Sequence, residues 1–508
     1  MGGVCFALAS PPTNLYPALL VGMGVLFLAA REARSVKRAA LLGWLWATSA
    51  GLVGMRFVPV VIDRFTPVGY AGGAVALLLL SAFQALSWAL GMVLAELLER
   101  YARLDARASF GAGALLAIMI PTVFGWTPAG LVSPWPVFVQ LAELIGGRGV
   151  SFVLALAAAC FAAPLVRFLP WGRGAPRSRG WLSAGLGVGL LLVLGVYGAV
   201  RMPQVRARMA SQPKIKLGVV QGAVGARLRW KLSAQDEIVA RLKRLTAEAE
   251  QRGAELTVWP EAAYPFVLRY AAARTPRGSR GIIGGPVKGP VLVGLITQPA
   301  HRFGEYNSAA VVDSRGVMEL PQAKMALLWF GETIPFGQYM PWLRRIFFRS
   351  GGLIPGDAVD LQRSGPARMG VLICYEDTLA GVGRRVARAR PNLLVNITND
   401  AWFGPTAEPE LHLRLSALRA VESRLDLVRA VNLGIPAWID ATGTLRRRGS
   451  TDTQSVMLVS PTLNEMSPTL YTKAGDMPLL VFLFALTLAA ALRARWAKRR
   501  SETTGPDP

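Results

Sequence analysis

Apolar positions in this chain follow two patterns. In the first they run almost unbroken through residues 16–30, 39–61, 70–95, 109–126, 149–166, 181–201 and 477–492. Most of these runs come near the ~20 residues a helix needs to cross a bilayer, where every backbone N–H and C=O must be bonded within the segment. The last is short, with flanking residues able to extend it. A further stretch, MGGVCFALASPP at 1–12, is too short to span alone and is expected to be re-entrant or the remainder of a longer first helix. Spanning runs follow it and no small-residue cleavage pattern stands out, so it is not read as a cleavable signal.

The second pattern fills residues 205–475, where short apolar runs alternate with polar stretches. IKLGVVQ (215–221), AELTVWPE (254–261), VLVGLIT (291–297), NSAAVVD (307–313), MGVLICYE (369–376), NLLVNITN (392–399) and PAWID (436–440) predict strands. Between the first two, Ser233 and Asp236 suit a capping box, and Ile238, Leu242 and Leu245 recur on one helical face. HLRLSALRAVESR (412–424) predicts a second helix. Strands that are apolar throughout imply sheets covered on both faces. The expected fold is a polytopic α-helical membrane domain plus an α/β domain.

Composition agrees with a membrane-embedded part: 52% of residues are hydrophobic and the mean hydropathy is +0.37. Lys and Arg number 56 against 31 Asp and Glu, and their placement explains the excess. Arg31, Arg34, Lys37 and Arg38 follow one run; Arg100, Arg103 and Arg107 another; Arg167, Arg173, Arg177 and Arg179 a third; Arg493, Arg495, Lys498, Arg499 and Arg500 the last. The loops between, 62–69 and 127–147, carry little positive charge. The positive-inside rule puts the basic set in the cytoplasm and leaves 205–475 on the far side. The charge therefore reads as topology and contact with anionic lipid, which argues against a nucleic-acid partner. The expected domains are 1–204 with seven membrane helices, the first short; 205–475, catalytic and outside the cytoplasm; and 476–508, one helix and a basic tail.

Chemistry has few candidates. Cys5 and Cys160 sit in very apolar runs, so no disulfide framework or zinc cluster can be assembled with Cys374. The two histidines, His301 and His412, lack the context of a Cys/His pair, so a nucleophilic Cys374 would take a carboxylate as its base. Glu261, between Pro260 and Ala262 and flanked by Trp259 and Tyr264, would gain basicity if buried. Lys324 precedes an apolar stretch ending at Glu332 and could lower a nearby thiol pKa and receive developing negative charge. Each has a plainer reading: a water-facing strand-end glutamate, a surface lysine, a core cysteine.

Read together, the segments change the picture. VWPE (258–261), the Lys324 to Glu332 spacing with FGE and PFG, ICYE (373–376) and TNDAWFG (398–404) occur in the order found in nitrilase-superfamily domains with a Glu-Lys-Cys triad. With membrane runs on both sides, the chain resembles the bacterial apolipoprotein N-acyltransferases over nearly its whole length. That resemblance implies a nitrilase-like α-β-β-α sandwich. It implies Glu261 as general base, Lys324 as oxyanion and thiolate stabiliser, and Cys374 as acyl-accepting nucleophile. Glu332, Tyr375 and Glu376 match supporting positions, and Trp230, Asn307, Asn399, Asp400 and Trp402 match positions that shape the site or its lid. Departures are Ala223 for the usual Asn, and Gln322, Ala326, Trp329 and Pro436 at positions where the family has other residues.

The implied reaction moves an acyl chain from a phospholipid to Cys374, and then to the α-amino group of the diacylglyceryl cysteine of an apolipoprotein, in the bacterial inner membrane with the catalytic domain periplasmic. No cofactor or metal and a monomeric enzyme are implied. The competing enzyme is a membrane-tethered amidohydrolase or nitrilase with water as acceptor. A lipid-binding or transport protein is disfavoured by sparse intramembrane charge, Arg56 being the main one.

Overall fold

The computed structural model describes all residues except 34, 169–179, 226, 227, 229, 230, 336, 348–350 and 504–508. The chain divides into two compact units, one comprising Met1–Val58, Ala74–Ala199 and Ala474–Pro508, the other Pro59–Gly73 with Val200–Lys473.

The first unit is helical. Four helices are long and apolar enough to cross a membrane, Gly69–Ala102, Ala142–Phe168, Gly180–Ala210 and Met477–Trp496; the pair Val36–Gly54 and Val58–Phe65, bent by 59°, would make a fifth. Pro17–Glu32 is a 16-residue helix, and residues 1–12 yield the six-residue Gly2–Ala7. The run at 109–126 gives Ala106–Met119 alone because Ile120 turns extended, with φ −70° and ψ 123°, as the residue before Pro121 must. Helices Leu86–Ala102 and Ala106–Met119 meet backbone to backbone: a Cβ on Gly91 would lie 2.4 Å from the Gly113 carbonyl oxygen, and one on Gly113 2.2 Å from that of Gly91. Small residues permit this approach, the usual basis of packing where lipid supplies no hydrophobic drive.

The second unit is an α-β-β-α sandwich. Its strands are β1 (Leu217–Gln221), β2 (Leu256–Val258), β3 (Leu268–Arg269), β4 (Val291–Gln298), β5 (Tyr306–Val312), β6 (Gln322–Ala323), β7 (Gln362–Ser364), β8 (Ala367–Ile373), β9 (Leu393–Thr398), β10 (Leu427–Val431), β11 (Ala437–Ile439), β12 (Leu445–Arg448) and β13 (Ser455–Val459). One sheet runs β13-β1-β2-β4-β5-β6 with β3 beside β4; the other runs β12-β11-β10-β9-β8-β7. Alternate residues of each strand explain the layers. Val219, Val258 and Val311 of one sheet meet Val371, Ile373, Val395 and Val428 of the other between the sheets. The opposite faces carry Val220, Val291 and Val293 against the helix Gln235–Gln251, and Leu372, Leu394 and Leu427 against Ala380–Arg388 and Glu408–Ser423. Burial on both faces is why these strands read as continuous apolar runs.

Several boundaries differ from expectation. Ser233 lies in a 3-10 turn, Leu232–Ala234, and Ala234 opens the helix with no side-chain cap. The helix expected at 412–424 starts at Glu408 with Pro409 in its first turn, where a missing N–H costs nothing. The strand expected to reach Glu376 stops at Ile373, because Cys374 has φ 58°, outside β space. Residues Pro341–Ile346 form a short helix with Trp342 exposed.

Candidate active site

Cys374 sits where β8 ends and the 3-10 turn Cys374–Thr378 begins. Parallel pairing holds the strand end in place, with Ile373 opposite Ile397. Asn396 of β9 donates its side-chain amide to the carbonyls of Leu372 and Cys374 at 3.1 and 2.9 Å. Glu376 points back: Oε2 accepts the Ile373 N–H at 2.8 Å, and Oε1 accepts the N–H groups of Met325 and Ala326 at 2.7 and 2.9 Å. One carboxylate thus joins the cysteine turn to the segment after Lys324. Burial pushes its carboxyl up to about 7 although those donors pull the other way. Tyr375 donates its hydroxyl to the Leu327 carbonyl at 3.0 Å, and its ring centroid lies 5.6 Å from Lys324 Nζ.

Lys324 follows β6, its N–H bonded to the Asn307 carbonyl at 2.8 Å. It is 1% exposed, which excludes the surface-lysine reading. Nζ donates to Glu332 Oε1 at 2.7 Å and lies 3.6 Å from Glu261 Oε1. Asn307 Nδ2 donates to the same two oxygens, at 2.7 Å for Glu261 and 3.2 Å for Glu332. Glu332 Oε2 accepts the Leu328 N–H at 2.9 Å, closing the segment into a turn. Glu261 is 7% exposed, beyond the end of β2, so the strand-end carboxylate does not face water.

The electrostatics separate the roles. Burial would lower the Lys324 pKa, but Cys374, Glu332 and Glu261 together hold it well above the usual lysine value, so the ammonium persists. Burial pushes the Cys374 thiol well up, Glu261 adds to this, and Lys324 opposes both without prevailing. Lys324 thus acts on the thiol in the expected direction, and burial with Glu261 outweighs it. The resting site holds a neutral S–H beside a carboxylate that can take its proton and an ammonium that can pair the resulting thiolate.

Asn399 opens the turn Asp400–Trp402, its Oδ1 accepting from Ala401 N at 3.3 Å and from Asn432 Nδ2 at 3.0 Å. With Glu261 it lines a small cavity whose walls include Val224, Leu242, Ala262 and Pro265. Asp400 binds Thr398 Oγ1 at 3.2 Å. Trp402 packs against Phe65, ring centroids 4.2 Å apart, a partner from a segment far away in sequence. Trp230 lies outside the described residues. Among the departing positions, Gln322 is buried and bonds the Asp360 N–H at 2.7 Å and the Ala358 carbonyl at 3.3 Å, so it braces a neighbouring loop. Sequence reasoning missed Asp377, Glu408 and Arg429, and set His412 aside; these four form a buried charge group with Asp400. Their one sequence signal was Asp377 directly following Glu376.

Residues 2–160 match the apolipoprotein N-acyltransferase N-terminal domain, and residues 216–469 the carbon-nitrogen hydrolase family. An apolipoprotein N-acyltransferase of Geobacter metallireducens is 29% identical across 98% of this chain and 94% of its own length. One of Bradyrhizobium diazoefficiens is 31% identical with the same coverage. Among solved structures, Saccharomyces cerevisiae Nit3 of the nitrilase superfamily superposes with a TM-score of 0.37 at 16% identity, covering 53% of this chain and 96% of that one. With membrane-spanning helices, a nitrilase-like sandwich and relatives that match it nearly end to end, the chain belongs to the apolipoprotein N-acyltransferase family and is an acyltransferase.

Proposed function

We propose that this protein transfers an acyl chain from a phospholipid to the α-amino group of the diacylglyceryl cysteine that begins an apolipoprotein, through a thioester on Cys374. One observation carries the reading: Lys324 Nζ bridges Glu332 and Glu261 at 2.7 and 3.6 Å, and their charges act on the partly buried Cys374 thiol. Glu261 takes the S–H proton, and the thiolate attacks the ester carbonyl. The C–O bond breaks, and the lysophospholipid hydroxyl leaves with the proton held by Glu261. Lys324 faces the oxyanion of each tetrahedral intermediate. The acceptor amine, with an ordinary pKa of ~7.7–8.0, then attacks the thioester; its proton passes to Glu261 and on to the departing sulfur. The bond formed is an amide and the bond broken is the thioester.

Both substrates carry acyl chains, worth about 0.8 kcal/mol per buried methylene, so they stay in the bilayer and the site opens toward it. Exposed Trp329, Phe330, Tyr339 and Trp342, in the stretch after Lys324, suit contact with those chains. On this reading residues 1–204 and 476–508 embed the enzyme in the inner membrane, 205–475 work on the periplasmic side, and the monomer suffices.

Full-length protein in mixed micelles with acyl-labelled phospholipid is expected to gain label on Cys374, and Cys374→Ala to gain none. Added diacylglyceryl peptide should then carry the label at its N-terminus. Release of label to water alone, with the peptide unmodified, would overturn the transferase reading and favour the amidohydrolase.

A further inference from the structure

Directly after Glu376, the cysteine turn contributes a second buried carboxylate that the acyl transfer above does not use. Asp377 Oδ1 lies 2.7 Å from His412 Nε2, and its Oδ2 pairs with Arg429 Nη1. The other imidazole nitrogen, Nδ1, is 3.4 Å from Asp400 Oδ1 and 3.9 Å from Glu408 Oε1. Arg429 Nη2 is 4.0 Å from Asp400 Oδ2. All five residues are buried, Glu408 the most accessible at 8%. They come from four elements: the cysteine turn, the turn Asp400–Trp402, β10 and the helix Glu408–Ser423.

Charge arithmetic constrains this group. Three carboxyls face two cationic side chains, so full ionisation leaves one uncompensated negative charge where removal from water is heavily penalised. Among the described residues His412 Nε2 bonds Asp377, while Nδ1 makes no hydrogen bond but faces the carboxylates of Asp400 and Glu408, whose charge favours a proton on that nitrogen too. Balance is then reached when Glu408 also keeps its proton.

We propose that His412 is a positioning residue of the acyltransferase, an imidazolium that locks the turn bearing Cys374 to the loop bearing Asn399 and Trp402, and that a proton on Glu408 keeps the lock closed. The proposal rests on Cys374 being the acyl acceptor. Burial pushes the Glu408 carboxyl up to about 8, with Asp400 and Asp377 adding to this against His412 and Arg429. His412 is raised to about 10: burial would lower it, but Asp377 and Asp400 outweigh that effect and the opposing Arg429. Glu408 therefore loses its proton first as pH rises. The new charge arises beside Asp400, whose own charge already raises the Cys374 thiol. A divalent cation among Asp400, Glu408 and His412 is the competing occupant; the Arg429 guanidinium against Asp400 disfavours it.

The test follows two readouts on full-length protein from pH 6 to 10: acyl labelling of Cys374 from phospholipid, and alkylation of Cys374 by iodoacetamide resolved by peptide mass. The ratio of Glu408→Gln to parent is expected to climb severalfold between pH 7 and pH 9 in both. His412→Gln should slow labelling at least tenfold through kcat rather than KM, and should abolish the climb when combined with Glu408→Gln. A ratio that stays flat across the range overturns the proposal. So does elemental analysis finding one equivalent of divalent metal that Glu408→Gln loses. A climbing alkylation ratio without any acyl labelling would sustain the lock and sink the thioester instead.

Discussion

Asn307 spans two carboxylates with one amide, and that makes it the test of how the charges are held. Its Nδ2 donates to Glu261 at 2.7 Å and to Glu332 at 3.2 Å, so it offsets their mutual repulsion together with Lys324. Hydrogen bonds to charged groups contribute about 1.5–3 kcal/mol. Asn307→Ala is therefore expected to slow Cys374 acylation about 10- to 100-fold at about 1.4 kcal/mol per decade, with the KM for phospholipid little changed because no substrate contact is lost. Asn307→Asp should be slower still, since it adds a third negative charge. Acylation by Asn307→Ala at the parental rate would show the two glutamates to be held without it. On the proposed mechanism Glu261→Gln keeps the shape of the site and removes the proton acceptor, so it should form no thioester under the same assay.

Strand ends position these side chains, and strand ends are what the apolar pattern records least well. The cores of β1, β4, β5, β8 and β9 were legible because nearly every residue there is buried between helix and sheet or sheet and sheet. The turn at Cys374 was not, because a φ of 58° leaves no trace in hydrophobicity. Strands β3 and β6 are two residues long, and β12 reads LRRR with every residue exposed, so neither pattern nor length announced them. Glu261, Lys324 and Cys374 became a set through the order of their motifs, whereas the link from Asp377 to His412 joins residues 35 apart through tertiary packing alone. The clearest dependence of site on strand is at Gly294 in β4. A Cβ there would lie 2.2 Å from the Pro260 carbonyl and 2.8 Å from the Glu261 Cα, so backbone would have to shift. Overpacking of this kind costs about 1–3 kcal/mol, but displacing a catalytic group by an ångström can cost about 100-fold in rate. Gly294→Ala is expected to remain folded by circular dichroism while acylating Cys374 about 100-fold more slowly. Equal losses of fold and activity would reduce Gly294 to a packing residue.

The buried charges that serve the site also set the conditions under which the chain holds together. Burial raises Glu376 to about 7, Glu408 to about 8 and Asp426 to about 6; His412 is raised to about 10 by Asp377 and Asp400 against the opposing effect of burial. Asp426 anchors three separate stretches by accepting from Trp438 Nε1, Ala441 N and Thr462 N at 2.9 Å each. In every one of these groups the folded protein binds its proton more tightly than the unfolded chain does. Between the unfolded and folded values the folded state therefore holds more protons, and stability falls as pH rises. The windows overlap. Glu376, Glu408 and Asp426 contribute fully below their ordinary carboxylate range and lose that contribution by about 6 to 8, while His412 loses its own between its ordinary 6.5 and about 10. Glu465 and Asp313 shift the opposite way, but their contribution is complete once pH exceeds the usual carboxylate range. Full-length protein in detergent is thus expected to show an unfolding midpoint that declines steadily from pH 5.5 to 9, and Glu408→Gln should flatten the part of that decline below about pH 8 by removing its ionisation. Tryptophan fluorescence on heating would measure both. A midpoint that rises across this window would mean that the buried carboxyls are ionised in the folded protein, and the neutral Glu408 on which the charge-balanced lock depends would be lost with them.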